Sequence, residues 1–358
     1  MEKPISSKFV KALLEWFEQN HRPMPWKGIK DPYLIWISEV ILQQTRVKQG
    51  WDYFIRFTKR FPDIKSLAIA NIEEVLKYWE GLGYYTRARN LHASARIIIE
   101  KHNGTFPDKY EDILSLKGIG KYTAAAISSF AYSKAYAVLD GNVYRVLSRI
   151  FEIYIPIDSI DGNKQFSQLA TDCIIHANDP GVYNQAIMDF GATLCKPVNP
   201  DCEICPMNTF CLAYNNKTVN LLPVKEKKLI RRDRFFHYFL ISQAEFVYLH
   251  QRKDKDIWQL LYQFPLLETE KGVEPDISRF FPNIHQSLVI HNNAKVFKQS
   301  LTHQNIIAKF YRVELNTDWE APNEDWIKIE YKNLSNFVFP RIINDYLELE
   351  LVKVPNKT

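Results

Sequence analysis

No run of eighteen or more apolar residues occurs in the 358-residue chain, which argues against a membrane-spanning helix. The first residues, MEKPISSKFVKALLEWFEQN, enter an amphipathic helical pattern at once, without signal- or transit-peptide character. A soluble, cytoplasmic protein is expected. Strong charge of either sign is missing too: 46 Lys and Arg stand against 41 Asp and Glu, a net charge of +5. That mild excess suits a polyanionic partner without requiring one. Cysteine is scarce, with five in all. Cys173 stands alone in LATDCIIHAN, and the other four crowd between Cys195 and Cys211. Disulfides are not expected in a reducing compartment, so the crowding needs another reason.

What is present falls into two textures. From Lys8 to about Tyr214 apolar residues recur at helical spacing, as in FVKALLEWF, YLIWISEVILQQT and ARNLHASARIIIEKH, and nothing alternates like a sheet. Prolines 23, 25, 32, 62, 107 and 156 divide this half into helices of ordinary length. A polar, basic stretch at 215–234, with Lys217, Lys225, Lys227, Lys228, Arg231, Arg232 and Arg234, reads as a linker. Beyond it FFHYFLISQ, EFVYLHQR, NIIAKFYRVEL and DWIKIEY suit strands, while ISRFF and RIINDYLELEL suit helices. The second half is therefore α+β and the first all-α.

The cysteines are spaced six, two and five residues apart in CKPVNPDCEICPMNTFC. Thiolates this dense suit a tetrahedral zinc or an iron–sulfur cluster. Two separated C-x-x-C units, the paired-knuckle zinc pattern, are absent, and a loop wrapped around one compact cubane fits better. A second feature is LSLKGIGKYTAAAI, a Gly-Ile-Gly turn between two apolar runs. The unpaired N–H groups of a helix start behind such glycines make an anion site. Glu39 is the one charged residue in PYLIWISEVILQQ, where burial would raise its pKa and keep it partly protonated near neutrality. Asp140 opens DGNVYRVL and reads first as a helix N-cap.

In combination, SEVILQQTRV, GLGYYTRARNLH, LKGIGKYTA, LDGNVYRVLSR, NQAIMDFGATLC and the cysteine loop resemble the helix–hairpin–helix DNA glycosylases that carry a [4Fe–4S] cluster, and within them the MutY-type adenine glycosylases. The likeness runs over nearly the whole chain. It implies an all-α catalytic region at 1–214, with a six-helix module at about 30–136 and a cluster module formed by 1–29 and 137–214. A Nudix-like domain at 235–350 and a tail at 351–358 would follow. It further implies a monomer that removes adenine opposite 8-oxoguanine or guanine in double-stranded DNA by hydrolysing the N-glycosidic bond.

By the same resemblance Glu39 protonates adenine N7, Asp140 stabilises the cationic sugar, and Asn142 hydrogen-bonds beside it. Bifunctional relatives carry a nucleophilic lysine at the position of Tyr122. A phenol cannot replace it, so Tyr122 implies a glycosylase without strand cleavage. Gly118 and Gly120 would receive a DNA phosphate. Gln44 and Tyr84 would wedge the duplex, and Trp26, Leu42 and Gln185 would line the adenine pocket, with Lys27 where relatives often have Arg. Cys195, Cys202, Cys205 and Cys211 would hold the cluster.

In the C-terminal half, DIWQLLYQFPLLE resembles the Nudix tryptophan-to-phenylalanine-proline segment, but the acidic helix of Nudix hydrolases is absent. Without its magnesium cage the domain is expected to bind rather than to hydrolyse. Leu301, Thr302 and His303 fall where the family has a Phe-Ser-His loop for 8-oxoguanine, so the hydroxyl is kept and the aromatic lost. Between Cys195 and Cys202, Lys196 is the only basic residue, where relatives are often more basic. The rival readings are a thymine glycosylase for T·G mismatches and a non-catalytic iron–sulfur DNA-binding protein.

Overall fold

A computed structural model describes residues 3–226, 230–277, 288–315, 321 and 325–351. It divides into two compact units: residues 1–70 with 90–227, and residues 71–89 with 228–358. The helices begin with α1 (Lys3–Asn20), α2 (Pro32–Leu42), α3 (Val47–Arg60), α4 (Ile64–Ile69), α5 (Ile72–Trp79) and α6 (Thr86–His102). They continue with α7 (Tyr110–Ser115), α8 (Lys121–Tyr132), α9 (Gly141–Ile150), α10 (Ile160–Ile174), α11 (Pro180–Thr193) and α12 (Leu212–Asn215). No strand occurs among the described residues before Arg232, as the helical spacing predicts. The segment Asn71–Arg89, with α5 and the start of α6, groups with the C-terminal unit.

Local chemistry sets the helix starts. Asp31 caps α2 through Tyr33 N, with Pro32 in the first turn, and Asp179 followed by Pro180 does the same for α11. A side-chain oxygen at such a position satisfies backbone donors that the helix cannot, and proline gives up none that matters. One apolar core of the helical unit joins α1, α8, α9, α10 and α11, with Phe9, Leu13, Val146, Phe166, Ile187 and Phe190 fully buried. Trp36, also fully buried, packs edge-on against Phe106.

The C-terminal unit holds a mixed sheet in the order β3 (Tyr262–Gln263), β2 (Phe246–Gln251), β1 (Arg232–Gln243), β6 (Gln304–Leu315), β5 (Leu288–Ser300). Off this path β4 (Leu266–Thr269) pairs with β1, and β7 (Trp326–Glu330) pairs with β2. The β1–β6 pair is parallel, in register from Arg232 with Gln304 to Ser242 with Glu314. Helix α13 (Arg341–Leu351) covers one sheet face through Ile342, Ile343 and Tyr346. The predicted ISRFF helix lies from residue 278 onward outside the described residues, as do residues 227–229 of the basic stretch and 352–358 of the tail.

The basic stretch has several local roles. Ile157 donates to Val224 O and Glu226 N donates to Asp158, which fastens residues 224–226 to the helical unit. Arg232 and Arg234 already belong to β1. The Arg234 guanidinium is tied to Asp256 at 2.8 Å and Glu268 at 2.6 Å.

Candidate active site

A cavity of about 310 Å³ opens in the helical unit, lined by Trp26, Lys27, Ser38, Glu39, Phe130 and Gln185 among others. That is the size range of small-molecule sites. Glu39 sits in the last turn of α2, only 7 % exposed. Burial, and secondarily the Asp140 charge, pushes its carboxyl up from 4.5 to about 7, against a Tyr122 hydrogen bond that favours the charged form. Burial and the negative groups at Glu39 and Asp140 in turn raise the Tyr122 phenol. The single Tyr122 O–H is directed at Met188 Sδ at 3.2 Å and is near enough to turn to Glu39. Helices α2, α8 and the start of α9 thus bring Glu39, Tyr122 and Asp140 together, a convergence no linear pattern announces.

Asp140 is an N-cap, as the sequence suggests. One oxygen accepts from Asn142 N and Val143 N, both at 2.8 Å, and the other accepts from Asn142 Nδ2 at 2.8 Å. Asn142 Oδ1 in turn accepts from Arg145 Nη2 at 2.9 Å. A Cβ on Gly191 would lie 2.7 Å from Asn142 Cβ, so α11 can pass only as glycine there.

Trp26 is buried edge-on to Phe54. Leu42 is absent from the cavity wall; its Cδ2 rests 3.0 Å from where a Gly50 Cβ would stand. Lys27 and Gln185 both contact a residue to which sequence reasoning gave no role. Asp189 on α11 is fully buried and accepts from Lys27 Nζ at 2.5 Å, Arg22 Nη2 at 3.0 Å and Gln185 Nε2 at 3.3 Å. A lone carboxylate in the apolar run AIMDFGATL, the same signal that marked Glu39, could have found it.

The glycine turn behaves differently at its two ends. Gly118 has φ +79°, and a Cβ there would lie 2.7 Å from Asn90. Gly120, the N-cap of α8, has extended backbone and open space around it. Among the ten described non-glycine residues with positive φ are Gln44 at 58° and Tyr84 at 47°. Within the C-terminal unit Tyr84 is 52 % exposed, and its hydroxyl is 2.8 Å from Thr302 Oγ1. The loop 301–303 joins β5 to β6. Leu301 packs against the sheet core, whereas His303 is exposed. Arg231 Nε donates to Leu301 O and Arg232 N to His303 O, which holds the loop.

Cys195, Cys202, Cys205 and Cys211 line one apolar cavity with Ile150, Phe190 and Leu194. Among the described residues no three Cys, His, Asp or Glu side chains close around a single ion. Four sulfurs spread around a cavity fit a cluster better than one zinc. Burial, with the neighbouring sulfurs adding, pushes the Cys205 thiol up to about 12 and Cys211 to about 11. Such sulfurs ionise readily only against metal charge. Arg149 fastens the loop, donating to Lys196 O at 2.8 Å and Pro197 O at 3.2 Å and reaching Cys195 Sγ at 3.5 Å. Lys196, the loop's only basic residue before Cys202, is paired with Asp201 at 2.9 Å.

Comparison with known proteins bears on these features together. Residues 37–158 match the HhH-GPD superfamily of base excision DNA repair proteins, and 195–211 match the iron-sulfur binding domain of endonuclease III. Residues 237–349 match the NUDIX domain. The chain is 36% identical over 303 residues to the adenine DNA glycosylase of Buchnera aphidicola subsp. Baizongia pistaciae, covering 82% of this chain and 83% of that one. It is 32% identical to the adenine DNA glycosylase of the Schizaphis graminum subspecies, over 95% of this chain and 98% of that one. A thermostable thymine-DNA glycosylase superposes with a TM-score of 0.55 at 28% identity, covering 60% of this chain and 98% of that one. The glycosylase core, the four-cysteine loop that holds a [4Fe–4S] cluster, and the Nudix-like domain all recur in one order, and the chain belongs to the adenine DNA glycosylases, base excision repair enzymes of the HhH-GPD superfamily.

Proposed function

We propose that the protein acts as a monomer on adenine paired with 8-oxoguanine or guanine in duplex DNA, and that the Glu39 cavity receives the adenine once it has left the stack. A base inside a duplex is out of reach of a buried acid, so extrusion precedes chemistry. The observation that carries this reading is Glu39 itself, a buried carboxyl held near pH 7 on a cavity wall beside Tyr122 and Asp140.

The protonated Glu39 donates to adenine N7. The bond between N9 and the sugar C1′ breaks, and its electron pair leaves with the base. The Asp140 carboxylate faces the cationic sugar and stabilises it. Water then adds to C1′ and gives a proton to the Glu39 carboxylate, which restores the acid. Tyr122 turns its hydroxyl to Glu39 and has no amine to form a Schiff base, so the product is an intact strand with an abasic site. Gly118 and Gly120 place backbone N–H groups toward a phosphate, while Gln44 and Tyr84 enter the duplex. Thr302, bonded to Tyr84, and the exposed His303 support lesion reading by the 301–303 loop. Leu301 takes no stacking role. The four cysteines hold the [4Fe–4S] cluster, which supplies a covalent cross-link between the ends of their loop and carries no step of the hydrolysis.

The test is single-turnover base release on duplexes with A opposite 8-oxoguanine, A opposite guanine, or T opposite guanine. Wild type should release adenine with no nick before alkali, and Glu39→Gln should not. Thymine release, or adenine release that survives in Glu39→Gln, would overturn the reading.

A further inference from the structure

Asp189 is fully buried, yet a lysine, an arginine and an amide converge on it. A charge taken so far from water is retained only with such partners. Two of them, Lys27 and Gln185, line the cavity, and Asp189 itself does not. Lys27 is held from both sides, its ammonium on Asp189 and 5.8 Å from the Phe17 ring centroid. Gln185 stands one helical turn before Asp189 on α11, and its Nε2 donates to Asp189 Oδ1 at 3.3 Å.

From this we propose that Asp189 is a positioning residue that fixes the hydrogen-bonding polarity of the base pocket. A free primary amide can present either its oxygen or its NH2 to a ligand. An ionised carboxylate only accepts, so it selects the orientation in which Gln185 Nε2 turns to Asp189. The atom left for the cavity is Oε1, an acceptor. The exocyclic amine of adenine donates and meets it, whereas a base with a carbonyl at that position meets a second acceptor. A site built this way rejects a mismatched partner strongly, because the pocket's own polar group is then left unpaired. Arg22 and Lys27 pair with Asp189 at 3.0 and 2.5 Å and hold its oxygens in place beside Gln185. The inference rests on the cavity being the adenine pocket.

The experiment uses the full-length, cluster-loaded protein and two duplexes, with adenine or unsubstituted purine opposite 8-oxoguanine. Purine lacks the amine. Single-turnover rates are measured for wild type, Asp189→Asn, Gln185→Ala and the double variant. Asparagine keeps the shape of Asp189 but can accept or donate, so it no longer dictates the amide. The adenine-to-purine rate ratio should fall about tenfold in Asp189→Asn, the worth of one hydrogen bond. It should fall similarly in Gln185→Ala and no further in the double variant. Equal losses on both duplexes in Asp189→Asn would mark a purely structural role and overturn the proposal. So would an unchanged ratio in Asp189→Asn with a fallen one in Gln185→Ala. If neither variant moves the ratio, the adenine-pocket reading fails as well. Should Asp189→Asn not fold, Lys27→Met/Asp189→Asn removes a cation with the anion and is compared with Lys27→Met by the same ratio. An unchanged ratio between these two overturns the proposal.

Discussion

Replacing Glu39 with Gln separates what the carboxyl costs the fold from what it does for the reaction. Burial raises the carboxyl from 4.5 to about 7, a shift of about 2.5 units, or about 3 kcal/mol. Because the folded pKa lies above the unfolded one, Glu39 costs nothing below about pH 4.5, where both states are protonated. The cost grows as pH rises and is complete above about pH 7, where both states are ionised. Glutamine has the same shape and no charge. Glu39→Gln should therefore match wild type near pH 4.5 and exceed it at pH 8 by up to about 3 kcal/mol, or about 6–12 °C in melting temperature. The same shift has a catalytic return. At pH 7.4 a carboxyl with pKa 4.5 is about 0.1% protonated, and one at 7 is about 30% protonated, roughly a 200-fold larger population of acid. The amide has no such proton, so adenine release should fall by about 10²–10⁴-fold. The assay is denaturation of the cluster-loaded protein at pH 4.5 and pH 8, alongside single-turnover release. A variant no more stable than wild type at pH 8, or one equally stabilised at both pH values, would refute the reasoning.

Tyr122→Phe removes the hydrogen bond that favours ionised Glu39, so the basic limb of the single-turnover pH profile should move upward from about 7; a downward shift would contradict the assigned bond. Gly118→Ala should destabilise the free protein by about 2–3 kcal/mol, from its φ of +79° and the overlap with Asn90. Gly120→Ala, in open space with extended backbone, should leave stability within about 0.5 kcal/mol yet weaken duplex binding, and titration of both proteins separates the effects. Thr302→Val deletes the hydroxyl bonded to Tyr84 and should narrow the rate preference for A·8-oxoguanine over A·guanine severalfold, while an unchanged preference would remove Thr302 from lesion reading.

Much of the fold is legible because periodicity and punctuation agree in the helical half. The prolines and the capping aspartates Asp31, Asp140 and Asp179 stand where helices begin. In the other half the predicted strands match β1, β2, β6 and β7, but β5 goes unseen. Its sequence LVIHNNAKVFKQS breaks apolar alternation with HNNAK, where the register with β6 also shifts. β3 and β4 are too short, at two and four residues, to leave a pattern. At the site, isolated charge in an apolar helix marks Glu39 and would equally have marked Asp189. The left-handed turns at Gln44 and Tyr84 are invisible in the sequence, since neither residue type announces a positive φ. Nor does Gly118 announce that the side chain crowding it is Asn90, from the distant start of the chain's sixth helix.

The two carboxylates show why their partners, more than their chemistry, assign their roles. Asp140 sits at a helix start, where three N–H donors at 2.8 Å each find an acceptor. Both Asp140 oxygens are thereby engaged by the start of α9. On the proposed mechanism a carboxylate held this way faces and stabilises the cationic sugar. Glu39 lies in the last turn of α2 among apolar neighbours, and Tyr122 is the hydrogen-bonding side chain that favours its charge. Its neutral form is therefore cheap, and its charged form, created when the base departs, is a strong base next to the incoming water. Environments that push two carboxylates apart divide acid from stabiliser in glycosidases generally. On the proposed mechanism the division follows from one carboxylate opening α9 and the other interrupting the apolar last turn of α2. Removing the α9 cap or opening the α2 cavity to water would abolish it.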